Sequence, residues 1–235
     1  MPATSNEDTF QRDGFRIVEN VFSPDEVEHI KTIIASAAYD NPRFRRTGDL
    51  FAIRHCMKEL PELKEAVFNT SVIQILNNFG GSDLKIVKSI YFDKPPLSNW
   101  FVAYHQDLTI SVQEKADVPG YGLWTKKHES YAVQPPEAFL RNILTLRIHL
   151  DDTDENNGAL KVIPGSHNSI TRMEKTDKPE EKFCNVPGGG VMLMRPLLMH
   201  SSGRTTDNRR RRVIHIEFSP DELPKPLVWA ERENL

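Results

Sequence analysis

The residues with the clearest chemical potential are a histidine and an aspartate two positions apart, His105 and Asp107. They follow an apolar and aromatic stretch, Trp100 to Ala103, which predicts a β-strand that runs through Asp107. Alternate side chains of a strand face the same side, so both would point one way and Gln106 the other. An imidazole and a carboxylate on one face are two of the three ligands that hold non-haem iron in facial triads. A histidine hydrogen-bonded to a neighbouring carboxylate would give the same pattern.

A second histidine, much later in the chain, could supply the third ligand. His200 ends an apolar stretch and precedes Ser201-Ser202-Gly203, a polar segment typical of a barrel rim. Four arginines at 209–212 then lead into a strand in which Arg211 shares a face with His215. An arginine at the start of an inward face can bind a carboxylate through two parallel hydrogen bonds. The alternatives for this arginine run are a solvated basic patch or a nucleic-acid contact, and the acidic chain disfavours the second.

Composition describes an ordinary globular protein. The chain has 235 residues, 38% hydrophobic and 27% charged, and its net charge of -3 predicts no general affinity for nucleic acid or anionic membranes. Cys56 and Cys184 lie far apart, so no disulfide framework is expected. Residues 1–10 lack the apolar core of a signal peptide, and no apolar run reaches the length of a membrane span. These features predict a cytoplasmic protein.

The first third of the chain predicts helices. Ser23 is an N-cap followed by proline at the first helical position, and apolar residues at helical spacing continue to about Ala38. Two further helical patterns cover about 61–68 and 72–79. Residues 43–54 are basic and irregular, and we predict a loop there.

About seven short strands follow, separated by turn residues. They are predicted at 84–92, 100–107, 144–150, 160–163, 191–194, 197–200 and 213–218. The strand at 144–150 alternates cleanly, with leucines and isoleucine on one face and Thr145, Arg147 and His149 on the other. These three would face the cavity, where they would either contact a polar or anionic substrate or form hydrogen bonds inside the barrel.

Helices followed by strands, without alternation between them, favour a mostly β fold with antiparallel sheets and helices packed on one side. The strand count fits a jelly-roll barrel. We expect one domain over 1–235, with helical support at 1–82, the jelly-roll core at 83–219 and a tail at 220–235. Residues 111–139 form a long mixed connection that is a candidate lid.

The ordered motifs resemble the phytanoyl-CoA dioxygenase-like family of Fe(II)/2-oxoglutarate oxygenases. Four stretches carry the resemblance: Trp100 with His105-Gln106-Asp107, LDDTDENNGALKVIPGSH, the glycine-led strand ending at His200, and HSSG with RRRRVIHIEF after it. The resemblance implies a double-stranded β-helix (jelly-roll, cupin-like) with the N-terminal helices on one sheet. It also implies Fe(II) bound by His105, Asp107 and His200, with 2-oxoglutarate and O2 as cosubstrates.

The same resemblance assigns residues to 2-oxoglutarate. The family's arginine lies about eleven residues beyond the distal histidine, which selects Arg211 over Arg210 and Arg212. Ser202 is similar to a hydroxyl that helps hold the same carboxylate, and Trp124 to an aromatic residue near the cosubstrate.

The implied reaction is hydroxylation of a small molecule with release of succinate and CO2. Asp107 disfavours halogenation, because related halogenases have a small residue at that position. Two other functions stay open: a metal-binding jelly-roll that has lost catalysis and acts as a binding or regulatory module, and a cupin-like metal enzyme that does not use 2-oxoglutarate. The complete set of His105, Asp107, His200 and Arg211 disfavours the first, and Arg211 disfavours the second.

Overall fold

Alternating side chains in the central strands build a large antiparallel sheet that is buried on both faces. The computed structural model describes residues 6–37, 44–46, 51–81, 83–127, 130–171 and 179–235. The strands are β1 (Phe15–Val18), β2 (Phe44–Arg46), β3 (Phe51–Arg54), β4 (Lys85–Lys94), β5 (Val102–His105), β6 (Ile110–Val112), β7 (Gly122–Lys127), β8 (Ser130–Gln134), β9 (Leu144–His149), β10 (Leu160–Val162), β11 (Lys182–Cys184), β12 (Val191–Met194), β13 (His200–Ser202) and β14 (Arg211–Ser219). The large sheet has the order β1-β12-β9-β14-β4-β3-β2, a smaller one β11-β10-β13-β5, and a third β6-β8-β7.

All but the last of the described helices pack on the outer face of the large sheet, and the last packs beside the third sheet. They are α1 (Asn6–Asp13), α2 (Pro24–Ala35), α3 (Cys56–Glu59), α4 (Pro61–Val67), α5 (Thr70–Gly80) and α6 (Glu137–Arg141). Apolar residues of α2, α4 and α5 join the outward side chains of β9 and β14 in one buried cluster. The predicted N-cap is confirmed, because Ser23 and Glu26 form a reciprocal capping box. Within the described ranges, no helix is both long and apolar enough to span a bilayer.

The inner face of the large sheet looks across at the smaller sheet. Phe15, Met192 and Met194 from the large sheet pack against Leu160 and Val162 from β10. This second apolar cluster closes one end of the space between the sheets and leaves the other end to polar side chains. The predicted fold, mostly β with helices on one sheet, is therefore confirmed.

Residues 43–54 were predicted as loop, and that prediction is wrong for the described part. Residues 44–46 and 51–54 form β2 and β3, and β3 pairs with β4 through Ala52–Phe92 and Arg54–Ile90. In β3, Phe51 and Ile53 alternate with Ala52 and Arg54. Arg54 points toward the cavity. One of the charges that suggested a loop therefore faces the interior of the protein.

Three predicted boundaries also change. The strand predicted at 100–107 is regular only over Val102–His105, so Asp107 lies beyond its end. The strand predicted at 197–200 begins only at His200, since 195–199 form a turn and an extended segment. Helix α2 ends at Ala35 rather than Ala38, because Ser36 caps it.

The regions predicted as lid and tail are integrated into the fold. The described residues of 111–139 form most of the third sheet and the start of α6. In the tail, Trp229 is 4% exposed, bridges to Val112 and packs its ring 5.8 Å from that of Phe139. Glu231 is also buried and accepts hydrogen bonds from the backbone and the hydroxyl of Ser89.

We therefore expect Trp229→Ala to lower the free energy of unfolding by about 3–5 kcal/mol, because it empties a packed aromatic site. The neighbouring Val228 is 53% exposed, and Val228→Ala should change stability by less than about 0.5 kcal/mol. Urea unfolding monitored by circular dichroism compares the two. Equal effects would mean that the tail does not pack as described.

Candidate active site

Three predicted ligands converge at the open end of the space between the sheets. His105 and His200 are direct partners where β5 pairs with β13, and their ring centroids lie 4.2 Å apart. Asp107 follows β5, and its backbone N–H donates to the carbonyl of Pro196 at 2.8 Å. Its carboxylate oxygens lie 3.7 Å from His105 Nε2 and 3.8 Å from His200 Nε2. All three donor atoms therefore lie within 4.8 Å of one another, close enough for one metal ion to contact them.

Backbone carbonyls orient both imidazoles toward this point. Nδ1 of His105 lies 2.9 Å from the carbonyl of Ala103, and Nδ1 of His200 lies 2.8 Å from that of Leu198. A carbonyl only accepts, so Nδ1 donates in each ring and the Nε2 lone pair is directed at the centre.

The charges of the triad also suit a divalent metal ion. Burial lowers the pKa of His200 to about 4, so its ring is neutral at neutral pH. Burial opposes ionisation of Asp107, but the positive charge of nearby groups, Lys88 among them, outweighs this effect and lowers the pKa of Asp107. Two imidazoles and one carboxylate on one side of a site, with the other side open, fit non-haem Fe(II).

Gln106 points away from the triad, as predicted, and anchors the end of β5. Its amide nitrogen donates to the carbonyls of Leu197 at 2.5 Å and Ser169 at 2.8 Å, and its amide oxygen accepts from the N–H of Thr171 at 2.9 Å. The side chain is 7% exposed. It thereby holds the backbone between the two ligands in place.

A second group, Asp107 with His215 and Glu217, has comparable spacing. Its donors already have partners: Glu217 accepts from Lys88 Nζ at 2.6 Å and lies 3.1 Å from His215 Nε2, while Arg147 lies 3.0 Å from His215 Nδ1. The first triad is therefore the better metal site, because no described cationic side chain already holds its histidines.

Arg211 begins β14 and points inward, as its place in the alternating strand predicts. It is 2% exposed, and Nη1 donates to the carbonyl of Gly158 and to Ser202 Oγ, the latter at 3.3 Å. Arg210 and Arg212 point the other way and bind Asp93 and Asp151. In the described part of the chain no carboxylate lies within ion-pair distance of Arg211. Burial and the nearby Arg147 lower its pKa to about 9.

Triad and arginine share one cavity of about 240 Å³. Alternation with Arg211 in β14 pointed to the inward face of His215, but it was not predicted as a site residue. Eight wall residues were not predicted: Arg54, Lys88, Ile90, Phe92, Trp100, Val102, Leu160 and His215. For β3 and β4 the inward face follows only from their pairing, which the sequence does not give. The wall therefore carries more positive charge than predicted.

Not every predicted side chain reaches the cavity. The wall does not include Trp124, whose ring packs 6.4 Å from Tyr131 in the third sheet, whereas Trp100 does line it. Thr145 and His149 are buried but not on the wall, and His149 Nδ1 lies 2.9 Å from Thr153 Oγ1. Arg147 alone of the predicted substrate residues lines the cavity.

A buried lysine lies behind Arg211. Lys94 pairs with Arg211 across β4 and β14, is 0% exposed, and donates to the carbonyl of Gly203. Gly158 lies beside the ammonium: its φ of +87° favours glycine, and a Cβ there would lie 2.7 Å from Lys94 Nζ. Burial, then repulsion from Arg211, lowers the pKa of Lys94 to about 7.

Comparison with known proteins gives consistent matches. The family model for phytanoyl-CoA dioxygenase (PhyH) matches residues 10–213. A phytanoyl-CoA dioxygenase domain-containing protein 1 homolog from Caenorhabditis briggsae is 24% identical, with 88% of both chains covered. A probable alpha-ketoglutarate-dependent hypophosphite dioxygenase from Stutzerimonas stutzeri is 25% identical over 88% of this chain and 74% of its own. The crystal structure of EctD from S. alaskensis superimposes with a TM-score of 0.71 at 18% identity, covering 93% of this chain and 78% of that one. The last match supports the predicted jelly-roll fold.

We expect Gln106→Ala to weaken Fe(II) binding by about 10–100-fold, because loss of an outer partner lets the ligand-bearing backbone relax. Anaerobic calorimetric titration with Fe(II) measures the affinity. Gln113→Ala is the matched control, since that side chain donates to the carbonyl of Trp229 away from the triad. Equal affinities for the two variants would show that Gln106 does not position the ligands.

Lys94 makes stability depend on pH. Its pKa falls from 10.5 in the unfolded chain to about 7 in the fold, so the unfolded state binds more protons between these values and stability rises with pH there. Lys94→Met removes this dependence, and the variant should exceed the wild type in stability at about pH 6 by more than at about pH 9. The limiting slope is about 1.4 kcal/mol per pH unit.

Urea unfolding at both pH values measures the difference, with the exposed Lys115→Met as control. A difference that does not change with pH would mean that Lys94 stays fully protonated in the fold.

Proposed function

The chain belongs to the phytanoyl-CoA dioxygenase family, and we propose that it is an Fe(II)- and 2-oxoglutarate-dependent dioxygenase that hydroxylates a small molecule. The observation that carries this proposal is the convergence of His105, Asp107 and His200 in the same cavity as the buried Arg211. A metal site alone would fit many functions. A buried arginine without a carboxylate partner among the described residues adds a place for a dicarboxylate cosubstrate.

In this proposal His105, Asp107 and His200 bind the metal, and Arg211 binds the distal carboxylate of 2-oxoglutarate. Ser202 Oγ donates to the carbonyl of Gly158 at 3.0 Å and accepts from Arg211, so it orients the guanidinium. The aromatic role expected of Trp124 is better assigned to Trp100, which lines the cavity.

Bound Fe(II) supplies the site at which 2-oxoglutarate is oxidised to succinate and CO2 and O2 is activated for insertion into a C–H bond. The chain contributes placement and charge. Arg211, buried away from water, favours a carboxylate strongly because nothing else in the described residues neutralises it. The carboxylate of Asp107 would bind the metal at the position where related halogenases have a small residue. It therefore favours hydroxylation over halogenation.

The volume of the cavity, about 240 Å³, supports a small substrate. The Stutzerimonas relative, named for hypophosphite, supports the same size class. We propose one oxygenase domain over 1–235, in which the third sheet, including residues 111–139, supports the core.

Anaerobic addition of Fe(II) and 2-oxoglutarate should give a weak visible charge-transfer band in the wild type and none in Asp107→Ala. Arg211→Ala should weaken 2-oxoglutarate binding by about 30-fold or more, because it removes one partner of a buried charge pair. Arg210→Ala is the control: it breaks an ion pair with Asp93 on the opposite face, so it affects stability rather than 2-oxoglutarate affinity.

Exposure of the same complex to air should release succinate. A band without succinate would favour the catalytically silent binding module. Absence of the band would contradict the binding of 2-oxoglutarate at the metal site. Equal effects of the two arginine variants would contradict the role of Arg211.

A further inference from the structure

The cavity contains more positive charge than the proposed cosubstrate neutralises. Five cationic side chains of the described residues lie on the inner face of the large sheet: Arg54, Lys88, Lys94, Arg147 and Arg211. Lys88 has its partner in Glu217, and Asp107 belongs to the metal site. The distal carboxylate of 2-oxoglutarate would neutralise the charge of Arg211 and the adjacent Lys94, but it would leave the charge of Arg147 without a counter-ion.

Arg147 is a buried cation that points into the cavity. It is 7% exposed and lines the wall, and its Nη1 donates a hydrogen bond to His215 Nδ1 at 3.0 Å. Its Nε has no hydrogen-bond partner, and among the described carboxylates none lies within ion-pair distance. Burial lowers its pKa to about 10, so it is charged at neutral pH. An unpaired buried guanidinium is unfavourable in the free protein, which suggests that a ligand completes it.

The backbone of Arg147 lies away from that of the cosubstrate arginine, although the two guanidinium groups are close enough to repel each other. It pairs with His215 across β9 and β14, four residues along the strand from Arg211. Their backbone anchors are therefore about 13 Å apart, at 3.3 Å per residue. Arg147 also attracts the carboxylate of Asp107. Its side chain is thus near the metal site, where the C–H bond of a substrate must lie.

We propose that Arg147 binds an oxyanion of the substrate, a carboxylate or a phosphoryl-type group, so that the proposed oxygenase acts on small anionic molecules. This inference rests on the oxygenase function proposed above. The planar fork of a guanidinium matches two oxygens of either group. Apolar side chains of Ile90, Val102 and Leu160 on the same wall would contact the carbon skeleton.

A ligand role and a structural role for Arg147 predict opposite changes in thermal stability. Arg147→Met replaces an unpaired buried charge with an apolar chain, so the Tm of the ligand-free variant should be equal to or above that of the wild type. If Arg147 is instead structural, the loss of its hydrogen bond to His215 Nδ1 outweighs the removal of the buried charge, and Tm would fall by several degrees.

The binding test uses butyrate, propylphosphonate and the neutral butyramide as probes of the anaerobic Fe(II)·2-oxoglutarate complex. The probes are titrated calorimetrically into wild type, Arg147→Met, Arg147→Lys and the surface control Arg209→Gln. At least one anion should bind the wild type more tightly than butyramide does. Arg147→Met should weaken that binding at least tenfold, Arg147→Lys should restore part of it, and Arg209→Gln should leave it unchanged. Whether butyrate or propylphosphonate binds tells which oxyanion the site prefers.

Three results would overturn the proposal. The anions could displace 2-oxoglutarate and abolish the charge-transfer band, Arg147→Met could weaken 2-oxoglutarate instead of the probes, or butyramide could bind as well as the anions. Absence of the band from the wild type would refute the oxygenase function itself. Tm shifts with the probes, measured without iron, then show separately whether Arg147 binds anions.

Discussion

The site depends on one cross-strand pair. His105 and His200 are direct partners in β5 and β13, which fixes both rings on the cavity side of the smaller sheet. Because side chains alternate along a strand, a slip of one residue in either strand would turn one histidine away. Ser202 lines the same cavity two residues further along β13, so the register that assembles the metal ligands also positions the hydroxyl beside Arg211.

The sequence predicted what local periodicity and ordered motifs determine. Alternation in β14 gave the inward face of Arg211 and the outward faces of its neighbours, and the structure has both. Alternation could not give β3, whose inward Arg54 is defined only by pairing with β4. It also placed Asp107 inside a strand, whereas a hydrogen bond from its backbone to Pro196, distant in sequence, fixes that residue. Loose motif spacing selected Trp124, and three-dimensional packing brings Trp100 to the wall.

Uncompensated charge distinguishes the inner face of the large sheet from its outer face. Outward residues of β9 and β14 join an apolar cluster with the helices, which stabilises the fold. Inward residues include Arg147, Arg211 and Lys94, whose pKa values all fall because burial disfavours their charge. The outer face of the sheet therefore stabilises the fold, and the inner face carries the residues of the proposed site. Anionic ligands would offset the unfavourable burial of the cationic side chains on the inner face.

The contacts of Gln106 have an evolutionary consequence. Its amide binds main-chain atoms of Ser169, Thr171 and Leu197 and no side-chain atoms of those residues. Substitutions at these three positions can therefore accumulate without disturbing the anchor, provided that the peptide path is kept. Insertions or deletions in the same loops would move the carbonyls and with them the backbone that carries both neighbouring ligands. Around this centre, related sequences should diverge in residue identity far more freely than in loop length.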